Sequence, residues 1–267
     1  MKLFCRSYGS GPPLIILHGL YGSSDNWMSI AKMVGDHYTV YLPDLRNHGK
    51  SPHSDIMDYQ AMSNDILELA DQLNLNNFFL AGHSMGGKAA MAFAVNWPER
   101  ISGLLIADIS PFVNEPDGKA AFLQHKTILE AMYNLNLTKI STRTDADAEL
   151  KGKINSEKIR GFILKNLQRS TGNRFVWKLN VPSLLNNLKS IMEGIELKNI
   201  PDEQVTGFPV IFLKGSESDY INIEDYPYIL KIFPAAEIIE IREAGHWLHA
   251  DQPEEVAKNL LRLSGND

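Results

Sequence analysis

The stretch Gly82-His83-Ser84-Met85-Gly86 carries the residue types that expose a nucleophilic serine at a sharp turn. It lies between an apolar run that predicts a strand, Phe78 to Ala81, and an alanine-rich run that predicts a helix, Ala89 to Val95. Such a strand-to-helix turn lifts the serine hydroxyl clear of the sheet, and the flanking glycines let the backbone cross closely. Ser84 is therefore the candidate nucleophile for attack on a carbonyl carbon.

The same residues permit a second interpretation, because Gly82 to Lys88 also spells the G-x-x-x-x-G-K pattern of a phosphate-binding loop. The next residue of that motif should be a serine or threonine whose hydroxyl holds magnesium, and here it is Ala89. The missing hydroxyl disfavours nucleotide binding.

A serine nucleophile needs a general base, and His246 is the candidate among eight histidines. It lies just past the last predicted strand, where a loop at the carboxyl edge of the sheet would place it beside Ser84. We expect His249 to be structural and His83 to be a packing residue. The polar surroundings of three further histidines predict surface positions: His37, His53 and His125.

The loop His18-Gly19-Leu20-Tyr21-Gly22 follows a predicted strand and is the candidate partner for an oxyanion. We expect the backbone N–H groups of Leu20 and Met85 to hold the charge that develops on the carbonyl oxygen. Three aromatic residues flank the catalytic loops and are candidates for substrate contact, although packing explains them equally well: Tyr21, Trp27 and Trp247.

Short apolar runs bounded by Gly, Pro, Asn or Asp predict the buried parallel strands that would position these residues. The runs are Leu14 to Leu17, Thr39 to Leu42, Phe78 to Ala81, Leu104 to Ala107, Val210 to Leu213 and Ile238 to Ile241. Helical patterns lie between most of them. Alternation of this kind predicts an α/β fold with a mostly parallel, doubly wound sheet.

The alternation stops between roughly Pro111 and Thr206, where apolar residues recur at helical spacing. Examples are Ile128, Met132 and Leu135, then Ile159, Ile163 and Leu167, then Leu184, Leu188, Ile191, Met192 and Ile195. The length of this insertion predicts an all-helical cap, or lid, at residues 111–205, on a core made of residues 1–110 and 206–267.

The composition, 44% apolar and 22% charged over 267 residues, indicates a globular protein. The net charge of −6 disfavours a general nucleic-acid-binding surface. Cys5 is the single cysteine, and the sequence contains neither a secretory signal pattern nor an apolar run long enough to span a membrane, so we expect a cytoplasmic protein. Neither an H-E-x-x-H motif nor paired cysteines occur, so we expect no metal and no cofactor.

Charge is unevenly distributed along the chain. Residues 151–178 contain eight basic residues and one acidic residue, so this segment carries +7 and the rest of the chain −13. One hypothesis is that basic cap helices attract an anionic substrate, such as an acyl group on a phosphate-bearing thiol. The alternative is an ordinary solvated helical face.

Five segments together resemble the α/β-hydrolase superfamily, and most closely the bacterial YbfF-type esterases: HGLYGSSDNW, DLRNHGKSP, GHSMGGK, ADISP and GHWLHADQP. The resemblance covers residues 1 to about 111 and 206–267. It implies a cofactor-free serine hydrolase that cleaves a small acyl ester or thioester through a Ser-His-acid triad and an acyl-enzyme.

The family resemblance leaves two candidates for the acid of the triad. In most members the acid stands three residues after a glycine that ends the next-to-last strand, and the third residue after Gly215 is Ser218. Asp219 comes one residue late. Asp108 ends the predicted strand Leu104 to Ala107, and relatives with the ADISP motif take the acid from this strand. We favour Asp108 and keep Asp219 as the second choice.

Other functions remain compatible with these residues. The same triad could serve carbon–carbon bond hydrolysis, lyase chemistry or cofactor-free peroxidation. A ligand-binding module without catalysis could also be built on a hydrolase fold. A serine in the turn disfavours the relatives that use an aspartate there to open epoxides or displace halide.

Overall fold

A central sheet organises the protein in a computed structural model that describes residues 1–112, 115–194 and 204–265. The strands of the described residues are β1 (Cys5–Tyr8), β2 (Pro13–Leu17), β3 (Thr39–Pro43), β4 (Phe78–His83), β5 (Ile101–Ala107), β6 (Leu167–Arg169), β7 (Phe175–Trp177), β8 (Val210–Gly215) and β9 (Ala236–Ile241). All six predicted strands are present, within a few residues of their expected bounds. The predicted fold class is therefore confirmed.

Seven strands form one sheet in the order β1-β3-β2-β4-β5-β8-β9, and β6 and β7 form a separate antiparallel hairpin. Within the large sheet only β1 runs antiparallel to its neighbour. The carboxyl ends of parallel strands meet at one edge of a sheet. The turns that follow β2, β4, β5, β8 and β9 therefore emerge at the same edge.

Both faces of the sheet are covered by helices. The α-helices are α1 (Met28–Val34), α2 (Tyr59–Gln72), α3 (Met85–Asn96), α4 (Glu115–Asn134), α5 (Arg143–Lys151), α6 (Glu157–Leu164), α7 (Val181–Asn186), α8 (Leu188–Met192), α9 (Tyr226–Ile232), α10 (Leu248–Asp251) and α11 (Pro253–Arg262).

Alternate residues of each central strand enter different hydrophobic clusters, because successive strand side chains point to opposite faces. In β2, Ile15 and Leu17 belong to the cluster that contains buried residues of α2 and α3. Leu14 and Ile16 belong to the cluster that contains those of α1 and α11. Burial on both faces explains why these strands are continuous apolar runs in the sequence.

The chain between β5 and β8 contains α4 to α8 and the β6–β7 hairpin. The expectation of an all-helical segment is therefore wrong at residues 167–177: helix α6 ends at Leu164, and Leu167 lies in a strand. Polar turn residues with Asn173 at φ 58° reverse the chain, and Phe175-Val176-Trp177 has the aromatic and β-branched composition of a strand. Ile195 and the other residues at 113–114 and 195–203 of the expected cap lie outside the described residues.

No helix in the described ranges is long and apolar enough to cross a lipid bilayer.

Candidate active site

Ser84 lies in a strained turn between β4 and α3. Its backbone has φ 53° and ψ −120°, a conformation that few residues other than glycine adopt. A Cβ atom at Gly82 would lie 2.2 Å from the carbonyl oxygen of Gly86, and one at Gly86 would lie 2.6 Å from that of His18. Both glycines are therefore required by the close approach of the backbone, as the sequence motif predicts.

A chain of hydrogen bonds connects three of the predicted site residues. His246 Nε2 lies 3.0 Å from Ser84 Oγ, and His246 Nδ1 lies 2.8 Å from Asp108 Oδ2. Asp108 is fully buried, accepts a 2.9 Å hydrogen bond from the backbone N–H of Gly215 on Oδ1, and accepts another from the Ser218 hydroxyl on Oδ2. These bonds satisfy the carboxylate and fix its orientation.

Asp219, the second candidate for the acid, is separate from this arrangement. Its side chain is exposed, and its backbone carbonyl accepts a hydrogen bond from Asn222. Within the described residues, the structure brings Asp108 and not Asp219 into hydrogen-bond contact with His246.

The loop after β2 makes a turn in which the N–H of Gly22 bonds to the carbonyl oxygen of Gly19. Tyr21 has φ 63°, its N–H lies 3.3 Å from His48 Nε2, and its carbonyl accepts a 2.8 Å bond from the buried Asn166. These contacts hold the loop from both sides. The backbone N–H groups of Leu20 and Met85 donate no hydrogen bond within the described part of the chain, which leaves both available to an oxyanion.

A cavity of about 300 Å3, here called the catalytic cavity, opens on Ser84 and His246. All three aromatic residues that were candidates for substrate contact line it: Tyr21, Trp27 and Trp247. Trp27 is also a core residue, since it is 1% exposed and stacks on His249 at 4.8 Å between ring centroids.

Sequence reasoning missed several residues that the fold brings to the site. Tyr220 stacks on the His246 ring, with centroids 3.7 Å apart and planes 16° from parallel. Ile159 and Phe162 from α6 line the catalytic cavity. For these two residues, the helical apolar spacing and the prediction of a lid were the only features of the sequence that could indicate a place in the site. For Tyr220, which lies in a loop, the sequence contained no such feature.

The surface position expected for His125 is wrong. His125 is partly buried on α4, lines the catalytic cavity, and its Nδ1 lies 3.1 Å from the Tyr21 hydroxyl. Its neighbours Gln124 and Lys126 are exposed, whereas its own side chain contacts the loop after β2. His37 and His53 are exposed, as expected.

Five histidines around the site are kept neutral by burial. Burial lowers the pKa of His48 to about 3 and the pKa values of His125 and His249 to about 4. It also lowers the pKa values of His18 and His83. Near pH 7 these imidazoles therefore add no positive charge beside His246.

His83 does more than pack, because its Nε2 lies 2.7 Å from the backbone carbonyl oxygen of His246. With that nitrogen protonated, the neutral ring donates a hydrogen bond that fixes the loop carrying His246. Among the residues that the structure describes, no three His, Cys, Asp or Glu side chains are grouped so that they could hold a metal ion.

The basic segment 151–178 has two kinds of residues. Arg160 is buried and pairs with Asp147 at 2.8 Å, and Arg169 binds backbone carbonyl oxygens of Asn173 and Ser141, so both stabilise the fold. Lys158 instead lines the catalytic cavity, and its side chain is 62% exposed. Its ammonium donates a 3.1 Å hydrogen bond to Asp251 Oδ1 and lies 4.8 Å from the centroid of the Trp247 ring.

Comparisons with known proteins show the family of the chain. The family model described as alpha/beta hydrolase fold matches residues 12–253. The chain is 32% identical to esterase YbfF of Escherichia coli, over 94% of this chain and 92% of that protein. It is 36% identical to the sn-1-specific diacylglycerol lipase ABHD11 of Danio rerio, over 95% of this chain and 78% of that protein.

Among solved structures, a marine microorganism esterase superposes with a TM-score of 0.91 at 43% sequence identity. The superposition covers 98% of this chain and 99% of that one. The similarity therefore extends over the segment between β5 and β8 as well as over the sheet.

Proposed function

The chain belongs to the α/β-hydrolase family, and from this premise we propose that it is a carboxylic ester hydrolase in which Ser84, His246 and Asp108 form the catalytic triad. The observation that carries the proposal is the unbroken series of hydrogen bonds from Ser84 Oγ through His246 to a fully buried carboxylate. A serine activated in this way attacks acyl carbonyl groups.

In the acylation step, His246 Nε2 takes the proton from Ser84 as Oγ attacks the carbonyl carbon of the ester. Asp108, bonded to Nδ1–H, keeps the imidazole in the tautomer that leaves Nε2 free to accept, and stabilises the imidazolium. The tetrahedral intermediate collapses when its bond to the alcohol oxygen breaks and His246 returns the proton to that oxygen. The products of this step are a free alcohol and an acyl group on Ser84.

In the deacylation step, water takes the place of the alcohol. His246 removes a proton from water, the hydroxide oxygen bonds to the acyl carbon, and Ser84 leaves as it regains the proton from His246. The carboxylic acid is then released. In both steps the N–H groups of Leu20 and Met85 stabilise the oxyanion, and removal of one such donor typically costs about 10²–10³ in kcat.

Residues 111–205 are proposed to act as a cap on the core formed by residues 1–110 and 206–267. Support comes from the catalytic cavity, whose walls combine loops of the sheet edge with residues of α4 and α6, such as Ile128 and Phe162. Asn166, which follows α6, also bonds to the carbonyl oxygen of Tyr21 in the loop after β2. The cap thus supports the proposed oxyanion site and encloses the substrate.

The proposed substrates are small acyl esters, in keeping with the esterase and lipase names of the relatives. A thioester would pass through the same two steps, with a thiol as the leaving group. Lys158 at the cavity rim pairs with Asp251 at 3.1 Å, but its side chain is 62% exposed and can also contact a substrate that carries negative charge near the leaving group.

A serine-directed fluorophosphonate tests the nucleophile, and hydrolysis of p-nitrophenyl butyrate tests the reaction. The wild-type protein should be labelled and should hydrolyse the ester, and Ser84→Ala should lose both properties. Ser7→Ala, which changes an exposed serine of β1, is the matched control and should retain both. A Ser84→Ala protein that still takes the label, or a folded wild type that hydrolyses no ester, would overturn the proposal.

A further inference from the structure

A second cavity of about 280 Å3, here called the side cavity, lies next to the catalytic cavity. Tyr220 and Gln124 line both cavities and so form the wall between them. Other residues complete the side cavity: Lys88, Ile109, Phe112, Ala120, Ala121, Met192, Asp219, Asn222 and Asp225. Together the two cavities have the size of an ordinary small-molecule site, which is about 300–1,000 Å3.

Apolar side chains make up part of the lining of the side cavity, with Ile109, Ala121 and Met192 among them. Lys88 adds a buried amine, whose pKa burial lowers to about 7, and its Nζ donates 3.0 Å hydrogen bonds to the carbonyl oxygens of Met192 and Glu193 at the end of α8. Because its amine is bound to these carbonyl oxygens, Lys88 presents its aliphatic stem to the cavity.

The remaining walls exclude an anionic ligand. Asp219 and Asp225 contribute carboxylates, and Asp225 accepts a 2.8 Å hydrogen bond from the N–H of Asn222. A negatively charged group here would lie close to two carboxylates, whereas the one amine of the described lining, that of Lys88, is bound to backbone carbonyl oxygens. The side cavity therefore suits an uncharged, apolar chain.

The order of the two chemical steps decides which part of an ester this chain belongs to. The alcohol must leave first, while the acyl group remains bonded to Ser84. The rim of the catalytic cavity at Lys158, which is 62% exposed, gives the alcohol a route to solvent. The side cavity is instead lined by Ile109, which follows Asp108 in the chain, and by Lys88, which lies one turn into the helix that begins after Ser84. We propose that the side cavity is the acyl-chain subsite, a proposal that rests on the ester hydrolysis proposed above.

A chain must pass the partition to enter. Gln124 is exposed and its side chain makes no hydrogen bond within the described residues, so it can turn aside without losing a partner. Tyr220 is held against His246 by stacking and forms the fixed side of the passage. The acyl chain would therefore run between the Tyr220 ring and α4, away from the cavity rim.

The test is the dependence of kcat/KM on acyl length in p-nitrophenyl esters from acetyl to decanoyl. In the wild type, kcat/KM should rise about fourfold for each methylene that the cavity buries, until the cavity is full. Ala121→Phe places a ring in the side cavity, so the rise should end at a shorter acyl chain while the acetyl ester is unaffected. Leu123→Phe, two residues along the same helix at an exposed position outside both cavities, is the matched control.

Met192→Ala is the opposite test, because it enlarges the same cavity. The substitution keeps the backbone carbonyl of residue 192, so the hydrogen bond from Lys88 is retained. Its optimum should move to longer acyl chains. If either variant changes kcat/KM by the same factor for every acyl length, the acyl-chain subsite is wrong. The proposal is also wrong if the effect of Ala121→Phe on kcat/KM depends on the length of the alcohol in aliphatic acetates and not on the acyl length. Failure of the wild type to hydrolyse any ester would instead contradict the proposed function.

Discussion

Ser218 donates a hydrogen bond to Oδ2 of Asp108, the same carboxylate oxygen that lies 2.8 Å from His246 Nδ1. Ser218 follows β8 and Asp108 follows β5, and these strands are parallel neighbours in the sheet. Position 218 is the third residue after Gly215, where most members of the family carry the acid. The ends of two adjacent strands thus reach one point beside the imidazole, and here β5 supplies the carboxylate while β8 supplies a hydroxyl that orients it.

Replacement of Asp108 should remove the orientation of His246. We expect Asp108→Asn to lower kcat for p-nitrophenyl butyrate by about 10⁴, because an amide stabilises the wrong tautomer and cannot stabilise the imidazolium. Asp219→Asn changes an exposed carboxylate that makes no hydrogen bond to His246 in the described structure, so its kcat should stay far above that of Asp108→Asn. Steady-state kinetics of the two folded variants decide the point. Near-wild-type turnover by Asp108→Asn would refute the assignment of the acid.

The contact between Ser218 and Asp108 also predicts that the carboxylate can be moved from position 108 to position 218. The double replacement Asp108→Ser with Ser218→Asp places a carboxylate on β8 and a hydroxyl on β5, so it should recover at least about tenfold in kcat over Asp108→Ser alone. Asp108→Ser with Ser216→Asp is the control, since Ser216 is exposed on the same loop. Equal activities of the two double variants would show that position 218 does not reach His246.

The cavity rim predicts a salt effect that depends on substrate charge. For an anionic acyl thioester, kcat/KM should fall as sodium chloride is added, because screening weakens the attraction of Lys158. A neutral ester should show little change. Lys158→Gln should abolish the salt effect, and Lys151→Gln, an exposed position in the same basic segment but outside the catalytic cavity, should keep it. Equal salt dependence of the charged and neutral substrates would exclude the role of Lys158.

The buried histidines predict a loss of stability in acid. The pKa of His125 is about 4 in the folded protein and 6.5 in its ordinary state, so the unfolded chain binds more protons between these values. The free energy of unfolding should therefore fall as the pH drops from 6.5 towards 4, by at most about 1.4 kcal/mol per pH unit for each such histidine.

Urea unfolding followed by tryptophan fluorescence, at several pH values in this range, measures the slope. In His125→Gln the slope should be smaller than in the wild type, since one titrating group is removed. His53→Gln changes an exposed histidine and is the control with an unchanged slope. A slope in His125→Gln equal to that of the wild type would contradict the neutral, buried state of His125.

Local patterns were sufficient for much of the fold and for part of the site. The central strands are short apolar runs because residues on both of their faces are covered, so each run is recognisable from the sequence alone. The edge strand β9 is half-exposed, and only its apolar residues Ile238, Ile239 and Ile241 indicated a strand. The turn at Ser84 is likewise recognisable within Gly82 to Gly86, and the close contact of Gly82 is with Gly86 inside the motif. The close contact of Gly86, in contrast, is with the carbonyl oxygen of His18, after the neighbouring strand β2. The placement of His246 after the last strand followed from the rule that carboxyl ends share an edge.

Contacts between distant parts of the chain decided the rest. The choice between Asp108 and Asp219 depends on which carboxylate reaches His246, and Asp108 does so across 138 positions. The buried position of His125 depends on Tyr21, 104 residues away, and the hairpin at 167–177 overrode a helical spacing that continued through Leu167. Residue types and spacing thus determined the elements and the chemistry they could carry. Only the tertiary structure decided which side chains meet, because distances between loops depend on how the whole sheet and the segment above it pack.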